Sequence, residues 1–278
     1  MAAAGRVNGK VVAITGGARG IGFATATALH RLGAKVAIGD IDEIAVKEAG
    51  AALGLDVYAT LDVTDRASFE GFLDEVERRL GPVDVLVNNA GICPTGPAAD
   101  ESDEITMRTI AINEFGVILG TKLAVARMAP RRSGHVINVA SLGAITPMPG
   151  IATYCATKYA VLGYTETVRI ELRDSGIAFS TVMPTLTNTA MVDGIPSARG
   201  LKNAEPEDIA AGIVALIRKP KPRLAITRPA GLTTLIMRNF VPGRLNDAMR
   251  RVIKADSIFS TDVDVAKRRE YEERARHT

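Results

Sequence analysis

The chain is poor in the residues that build stapled or metal-centred folds. It holds two cysteines, Cys93 and Cys155, far apart and in no C-x-x-C spacing, which excludes a disulfide framework and offers no zinc pattern. So few thiols fit a reducing cytosol. Its three histidines, His30, His135 and His277, stand at no suggestive spacing and read as surface or packing residues, so no metal site is expected. No uninterrupted apolar run is long enough to span a bilayer, and residues 1–10 lack the apolar centre of a signal peptide. A cytoplasmic location is the expectation.

What is present is a chain of 278 residues, 47% hydrophobic and 23% charged. Such a length can bury roughly 70–75% of its unfolded surface without staples. The net charge of +3 hides an asymmetry. Between Arg218 and Lys254 stand ten Lys and Arg against one acid, Asp247, which leaves the rest of the chain six charges negative.

Short β-branched runs at 11–15, 35–39, 56–60, 83–88, 135–140 and 177–183 alternate with amphipathic stretches at 21–32, 43–53, 66–80, 103–129, 152–174 and 206–218. Near-continuous apolar strands are buried on both faces, and strict strand–helix alternation makes the sheet parallel. Asp65 and Glu205-Pro206 mark helix starts, whereas Gly33, Gly81 and Gly176 mark stops. A short strand at 224–227, one or two further helices and a charged tail from Asp262 follow. The expected architecture is α/β: a single-domain, Rossmann-like, doubly wound parallel sheet flanked by helices over 1–228. A helical C-terminal appendage with its charged tail occupies 229–278.

The first strand runs into Thr15-Gly16-Gly17-Ala18-Arg19-Gly20-Ile21-Gly22 and then a helix. Glycines there allow a tight turn and bring bare amides to a pyrophosphate at a helix N-terminus. Asp40 ends the second strand 18 residues after Gly22, near the offset of a carboxylate that binds the adenosine ribose. Such a carboxylate accepts from both ribose hydroxyls and repels a 2′-phosphate, which favours NAD over NADP. Asp42 competes for the role, and Arg19 is a counter-signal, because a guanidinium beside the turn could pair a 2′-phosphate.

The spacing Thr-Gly-x-x-x-Gly-x-Gly continues into Asp62-Val63, Asn88-Asn89-Ala90-Gly91, Asn113, Ser141 and Tyr154-x-x-x-Lys158. In this order the chain resembles the short-chain dehydrogenase/reductase family, over roughly residues 8–220. The resemblance implies an oxidoreductase acting on CH–OH groups, with Tyr154 as acid/base for the substrate oxygen. A free tyrosine of pKa about 10 is a poor base, but a neighbouring ammonium and a cationic nicotinamide bring it down. Lys158, four residues on and on the same helix face, would tune Tyr154 and hold the nicotinamide ribose. Ser141 would stabilise charge on the substrate oxygen. Ala140-Ser141-Leu142-Gly143 is no G-x-S-x-G elbow, so a hydrolase is excluded.

The resemblance also implies that Asn113 perturbs its helix and holds a water of a proton relay, a purely structural role being the alternative. Gly16, Arg19, Gly20, Ile21, Gly22 and Asp40 would bind the cofactor together with Tyr154 and Lys158. Asp62 and Val63 would face the adenine, and Asn89, Ala90 and Gly91 the adenosine side. Asn88 either joins them or ties strands together. Pro184, Thr187 and Thr189 would meet the nicotinamide end. Thr185 stands where the family has glycine, and it would be strained if that position needs a positive φ.

The stretches expected to face substrate, 92–95, 142–150 and 186–195, are nearly all apolar, with Leu142, Gly143, Met148 and Met191 the named candidates. A hydrophobic secondary alcohol or ketone, steroid-, retinoid- or lipid-like, follows. In the basic segment Leu232, Leu235, Ile236 and Phe240 recur at helical spacing. It reads first as a lid or subunit contact; the alternative is weak peripheral contact of 218–254 with an anionic membrane surface. Nucleic acid is not an expected partner. Family resemblance further implies a homo-oligomer, a dimer or tetramer, through the helices at 103–129 and 152–174. The competing functions are an NADP-dependent ketone reductase and a dinucleotide-binding regulatory or membrane-associated protein without turnover.

Overall fold

The computed structural model describes residues 7–196, 203–226 and 257–277. Seven strands form one parallel sheet in the order β3-β2-β1-β4-β5-β6-β7. They are β1 (Val11–Thr15), β2 (Lys35–Asp40), β3 (Val57–Thr60), β4 (Val85–Asn88), β5 (Gly134–Val139), β6 (Ile177–Pro184) and β7 (Arg223–Ile226). β1 pairs with β2 on one side and β4 on the other. The order in which strands are added across the sheet therefore reverses at β1, and the crevice at its carboxyl end is where a parallel sheet of this kind binds ligand.

Alternation along β1 divides the core. Val12 and Ile14 face one layer with α1 (Gly20–Arg31) and α7 (Pro206–Arg218), through Leu29 and Ile213. Val11 and Ala13 face the other with α3 (Arg66–Leu80) and α5 (Gly116–Met128), through Phe69, Leu73, Leu119 and Leu123. Helix starts are set by side chains: Asp65 accepts from Ser68 N–H, and Asp42 from Ala45 N–H at the start of α2 (Glu43–Leu53). Glu205 and Asp208 form a capping box with Pro206 at the first helical position of α7.

Three elements differ from the sequence expectation. The helix expected over 103–129 is α4 (Asp103–Ile110), a π turn (Ala111–Phe115) and α5, with Gly116 N–H donating to Ala111 five residues back. α6 (Ala152–Glu171) stops short of 174, and a turn leads to Gly176, whose φ of 81° and 2.1 Å approach of a would-be Cβ to Arg132 O leave room only for glycine. Finally, the expected charged tail is a helix, α8 (Val265–His277), folded onto the body. Leu232, Leu235, Ile236 and Phe240 lie outside the described residues.

Candidate active site

At the carboxyl end of β1 the chain turns on two glycines at positive φ. Gly16 (φ +64°) leaves a would-be Cβ 2.8 Å from Ala90 Cα, and Gly20 (φ +55°) opens α1 against Thr189. Asn89 donates to Thr15 O and Gly16 O, both at 3.0 Å, and its own N–H reaches Thr15 Oγ1. The turn is thus held by the strand beside it, leaving a cavity of about 490 Å³.

Gly16, Arg19, Gly20, Ile21, Asp40, Asp62, Val63, Asn89, Ala90, Gly91, Pro184, Thr187 and Thr189 all line this cavity. Gly22 does not: a Cβ there would stand 2.0 Å from Gly16 O, so this glycine lets α1 pack beneath the turn. Asp40 lines the cavity while accepting from Ala18 N–H at 3.1 Å, whereas Asp42 is used up as the cap of α2 and as the partner of Arg19 at 2.7 Å. Those bonds, the Ala45 amide first and Arg19 next, hold the Asp42 carboxyl below its ordinary value. Asp62 accepts from Thr64 N–H and Oγ1, forming its own turn. Asn88 is away from the cavity, tying β4 to β5 through Asn138 Oδ1 at 2.9 Å. Its structural alternative is therefore the observed one.

Ser141, at the end of β5, and Tyr154 and Lys158, on the first turns of α6, share one wall. Gly143 N–H donates to Ser141 Oγ at 3.1 Å, and Ser141 is hydrogen-bonded to Tyr154. Gly143, expected against substrate, instead stands behind Ser141 and does not line the cavity. Lys158 Nζ lies 5.5 Å from the Tyr154 ring centroid and donates to Val139 O at 3.1 Å. Burial pushes the Lys158 ammonium down to about 8. Burial also raises the Tyr154 phenol, with Cys93 adding to the rise and the Ser141 bond opposing it. The lowering expected from Lys158 is not what dominates at Tyr154; removal from water is.

Asn113 is fully buried behind this wall, in the π turn. Its Oδ1 accepts from Ile92 N–H and its Nδ2 donates to Ile92 O, each at 2.8 Å, with a longer bond of 3.3 Å to Thr157. Gly91 makes the approach possible, since a Cβ there would stand 3.1 Å from Asn113 Oδ1 and 3.5 Å from Lys158 Nζ. Asn113 is a positioning residue that locks the loop in front of Lys158.

Thr185 has no positive φ; among the described residues other than glycine only Arg132 does. Its N–H donates to Ile226 O at 2.6 Å, extending the β6–β7 pairing, so the expected strain is absent. Its Oγ1 is buried, lines the cavity and has no partner among the described residues. A glycine-floored cradle at one end and an orphaned hydroxyl at the other fit a dinucleotide.

The substrate side is apolar. Ile92, Cys93, Leu142, Met148, Ile151, Leu186 and Met191 line it, with burial holding the Cys93 thiol up at about 12. Sequence reasoning missed the C-terminal contribution: Ile258, Phe259, Tyr271, Arg274 and Ala275 also line the cavity. Gly150 and Gly194 admit this segment, as a Cβ would lie 2.1 Å from Phe259 O and 2.5 Å from Asp264 O respectively. Arg268, 1% exposed, then pins α8 by donating to Cys93 O (2.5 Å), Met191 O (2.8 Å) and Glu272 Oε1 (2.6 Å). The signal was available: Arg268, Tyr271 and Ala275 fall on one helix face.

Such a sheet and site have the form of a dinucleotide-binding fold with a Ser–Tyr–Lys wall. Residues 10–200 match the short chain dehydrogenase family, and the chain belongs to it. The family's fold binds a nicotinamide dinucleotide. It is 37% identical over 197 residues to the 2,5-dichloro-2,5-cyclohexadiene-1,4-diol dehydrogenase LinX of Sphingobium indicum, covering 69% of this chain and 79% of that one. With the 3-alpha-(or 20-beta)-hydroxysteroid dehydrogenase of Mycobacterium tuberculosis it shares 35% over 222 residues, 76% and 84% of the two chains. The "Probable oxidoreductase EphD" of the same organism is 33% identical over 236 residues, 76% of this chain, which spans only 40% of that protein. Among solved structures, levodione reductase superposes with a TM-score of 0.75 at 27% identity, over 81% of this chain and 98% of its own. The 3-ketoacyl-(acyl-carrier-protein) reductase of Brucella melitensis, complexed with NADH, gives 0.73 at 28%, over 79% and 97%.

Proposed function

We propose that the protein transfers hydride between NAD and an apolar secondary alcohol or its ketone. The observation that carries this reading is that Ser141, Tyr154 and Lys158 meet on one wall of the cavity whose floor is the 16–20 turn. When bound, the dinucleotide supplies the hydride donor or acceptor. Gly16, Gly20 and Ile21 would hold its pyrophosphate at the start of α1, Asp40 its adenosine ribose, and Pro184, Thr187, Thr189 and the Thr185 hydroxyl its carboxamide end.

The chain itself does the acid–base work. Tyr154 Oη takes the substrate's hydroxyl proton in oxidation and returns it in reduction, Ser141 Oγ hydrogen-bonds the same oxygen, and the Lys158 ammonium stabilises the phenolate. Burial holds Tyr154 above its ordinary range, so its basic form gains population only toward high pH. Oxidation should accordingly speed up as pH rises, while reduction runs best nearer neutrality; paired pH profiles in the two directions check this.

Two features support NAD over NADP. Asp40 would face and repel a 2′-phosphate, and Arg19, the cation that could offset it, is committed to Asp42. The apolar wall supports a hydrophobic substrate, and relatives named for a cyclohexadienediol and for hydroxysteroids support a cyclic one. Met107, Phe115 and Ile170, exposed on α4, the π turn and α6, support a homo-oligomer joined through these helices. Initial rates with NAD and NADP over steroid, retinoid and aliphatic secondary alcohols test the reading. Turnover with NAD supports it, faster turnover with NADP indicates the ketone reductase, and NADH binding without turnover indicates a non-catalytic protein.

A further inference from the structure

The C-terminal helix brings one polar group into the otherwise apolar substrate side. Tyr271 is 7% exposed and lines the cavity. Two guanidinium groups stand over its ring, Arg268 at 4.7 Å and Arg274 at 5.6 Å from the centroid. Its hydroxyl oxygen accepts from Cys93 N–H at 2.7 Å. Cys93 in turn packs in the same cluster as Tyr154. A phenol has one proton to give as well as lone pairs to fill, and the Tyr271 proton meets no acceptor among the described residues. A buried donor fixed in place, unspent among the described residues and joined through Cys93 to the cluster of the acid/base tyrosine, is a recognition group.

Packing shows that this placement is specified. Arg268 clamps α8 to both substrate loops at once, through Cys93 O on one and Met191 O on the other. Glu272, bound to Arg268, accepts from Thr95 N–H and Oγ1, and Asn113 holds Ile92, so the loop carrying Cys93 is fixed on both sides of the Tyr271 contact. Drift of the loop would break these bonds together.

We infer that Tyr271 binds substrate: its hydroxyl donates a hydrogen bond to a second oxygen, so the preferred substrate is an apolar secondary alcohol or ketone bearing another hydroxyl or carbonyl group. This rests on the oxidoreductase reading above and names the substrate class for it. The reacting oxygen goes to Tyr154 and Ser141, and the second oxygen to Tyr271.

The test compares kcat/KM for cyclohexanol with that for the 1,2-, 1,3- and 1,4-cyclohexanediols, in the wild type and in Tyr271→Phe, with NAD. The wild type should favour at least one diol by on the order of tenfold, as one well-placed hydrogen bond allows. In Tyr271→Phe that ratio should fall to about one. Loss of the Cys93 contact or a loosened fold would slow all four substrates alike and leave the ratio standing, which would overturn the inference. A wild type with no preference for any diol overturns it without a variant. Absence of turnover for all four by protein that binds NADH contradicts the oxidoreductase reading itself, and this inference with it.

Discussion

The two ends of the cavity are built by different means. The cofactor end is made of backbone at strand ends: Gly16, Gly20, Ala90 and Gly91 sit directly after β1 and β4, and Asn89 ties one strand end to the other. The substrate end is made of side chains on three loops, two of which a C-terminal helix holds together through a single buried guanidinium. A dinucleotide presents the same surface to every enzyme that uses it, so a rigid backbone cradle serves. Substrates differ, and a wall of loops under a C-terminal helix can be changed without disturbing the sheet.

The comparison breaks most visibly at Arg268. Arg268→Met strips the buried partner from Cys93 O and Met191 O and should cost about 3 kcal/mol of stability. It should also raise KM for the alcohol far more than it weakens NADH binding; thermal unfolding and fluorescence titration with NADH measure the two. At the opposite end, Gly22→Ala forces a methyl onto Gly16 O, and the turn must shift at a cost of about 2 kcal/mol. There the expected loss is in NADH affinity, read by the same titration, and KM for the alcohol should follow only indirectly.

A gentler probe is Asp40→Ser, which removes the charge that would face the ribose together with the carboxylate that accepts from Ala18 N–H. The ratio of NAD to NADP efficiency should fall by about tenfold, measured as kcat/KM for each cofactor. A further effect concerns neither end. His135 is 5% exposed on β5, and burial pulls its ring down to about 4. Ser180 Oγ spends its proton on Lys221 O, so His135 Nε2 donates to Ser180 and the ring is neutral. The folded pKa lies below the unfolded value near 6.5, so the unfolded chain binds the extra proton between those limits. Stability should therefore hold above pH 6.5 and decline as pH falls toward 4, by about 2–3 kcal/mol in all. Denaturant melts of wild type and His135→Gln across that window check it, the variant showing the smaller slope.

Most of the fold and the cofactor end were legible because their causes are local. Strand–helix periodicity gave the sheet, and Asp65, Glu205 and Pro206 act within one turn of where they stand. The π turn was not legible as geometry, since apolar spacing runs on through 103–129 and only the contact of Asn113 with Ile92 shows why the ladder slips. Gly22 and Gly143 were read as ligand-facing from the motif alone, but a glycine allows close approach from any side, and here the neighbours are Gly16 O and the Ser141 hydroxyl. Helix α8 escaped notice because its mean composition is charged. One apolar face of two residues, Tyr271 and Ala275, does all the burying, and the third residue on that face is an arginine.

The most direct test of the central claim is the initial rate of NADH formation from a cyclic secondary alcohol by the wild type and by Tyr154→Phe, with NADH affinity measured on both. Proton transfer by a positioned side chain contributes on the order of a hundred- to ten-thousandfold. The variant should lose at least that lower factor while binding NADH as the wild type does. A Tyr154→Phe protein that turns over at the wild-type rate would contradict the account.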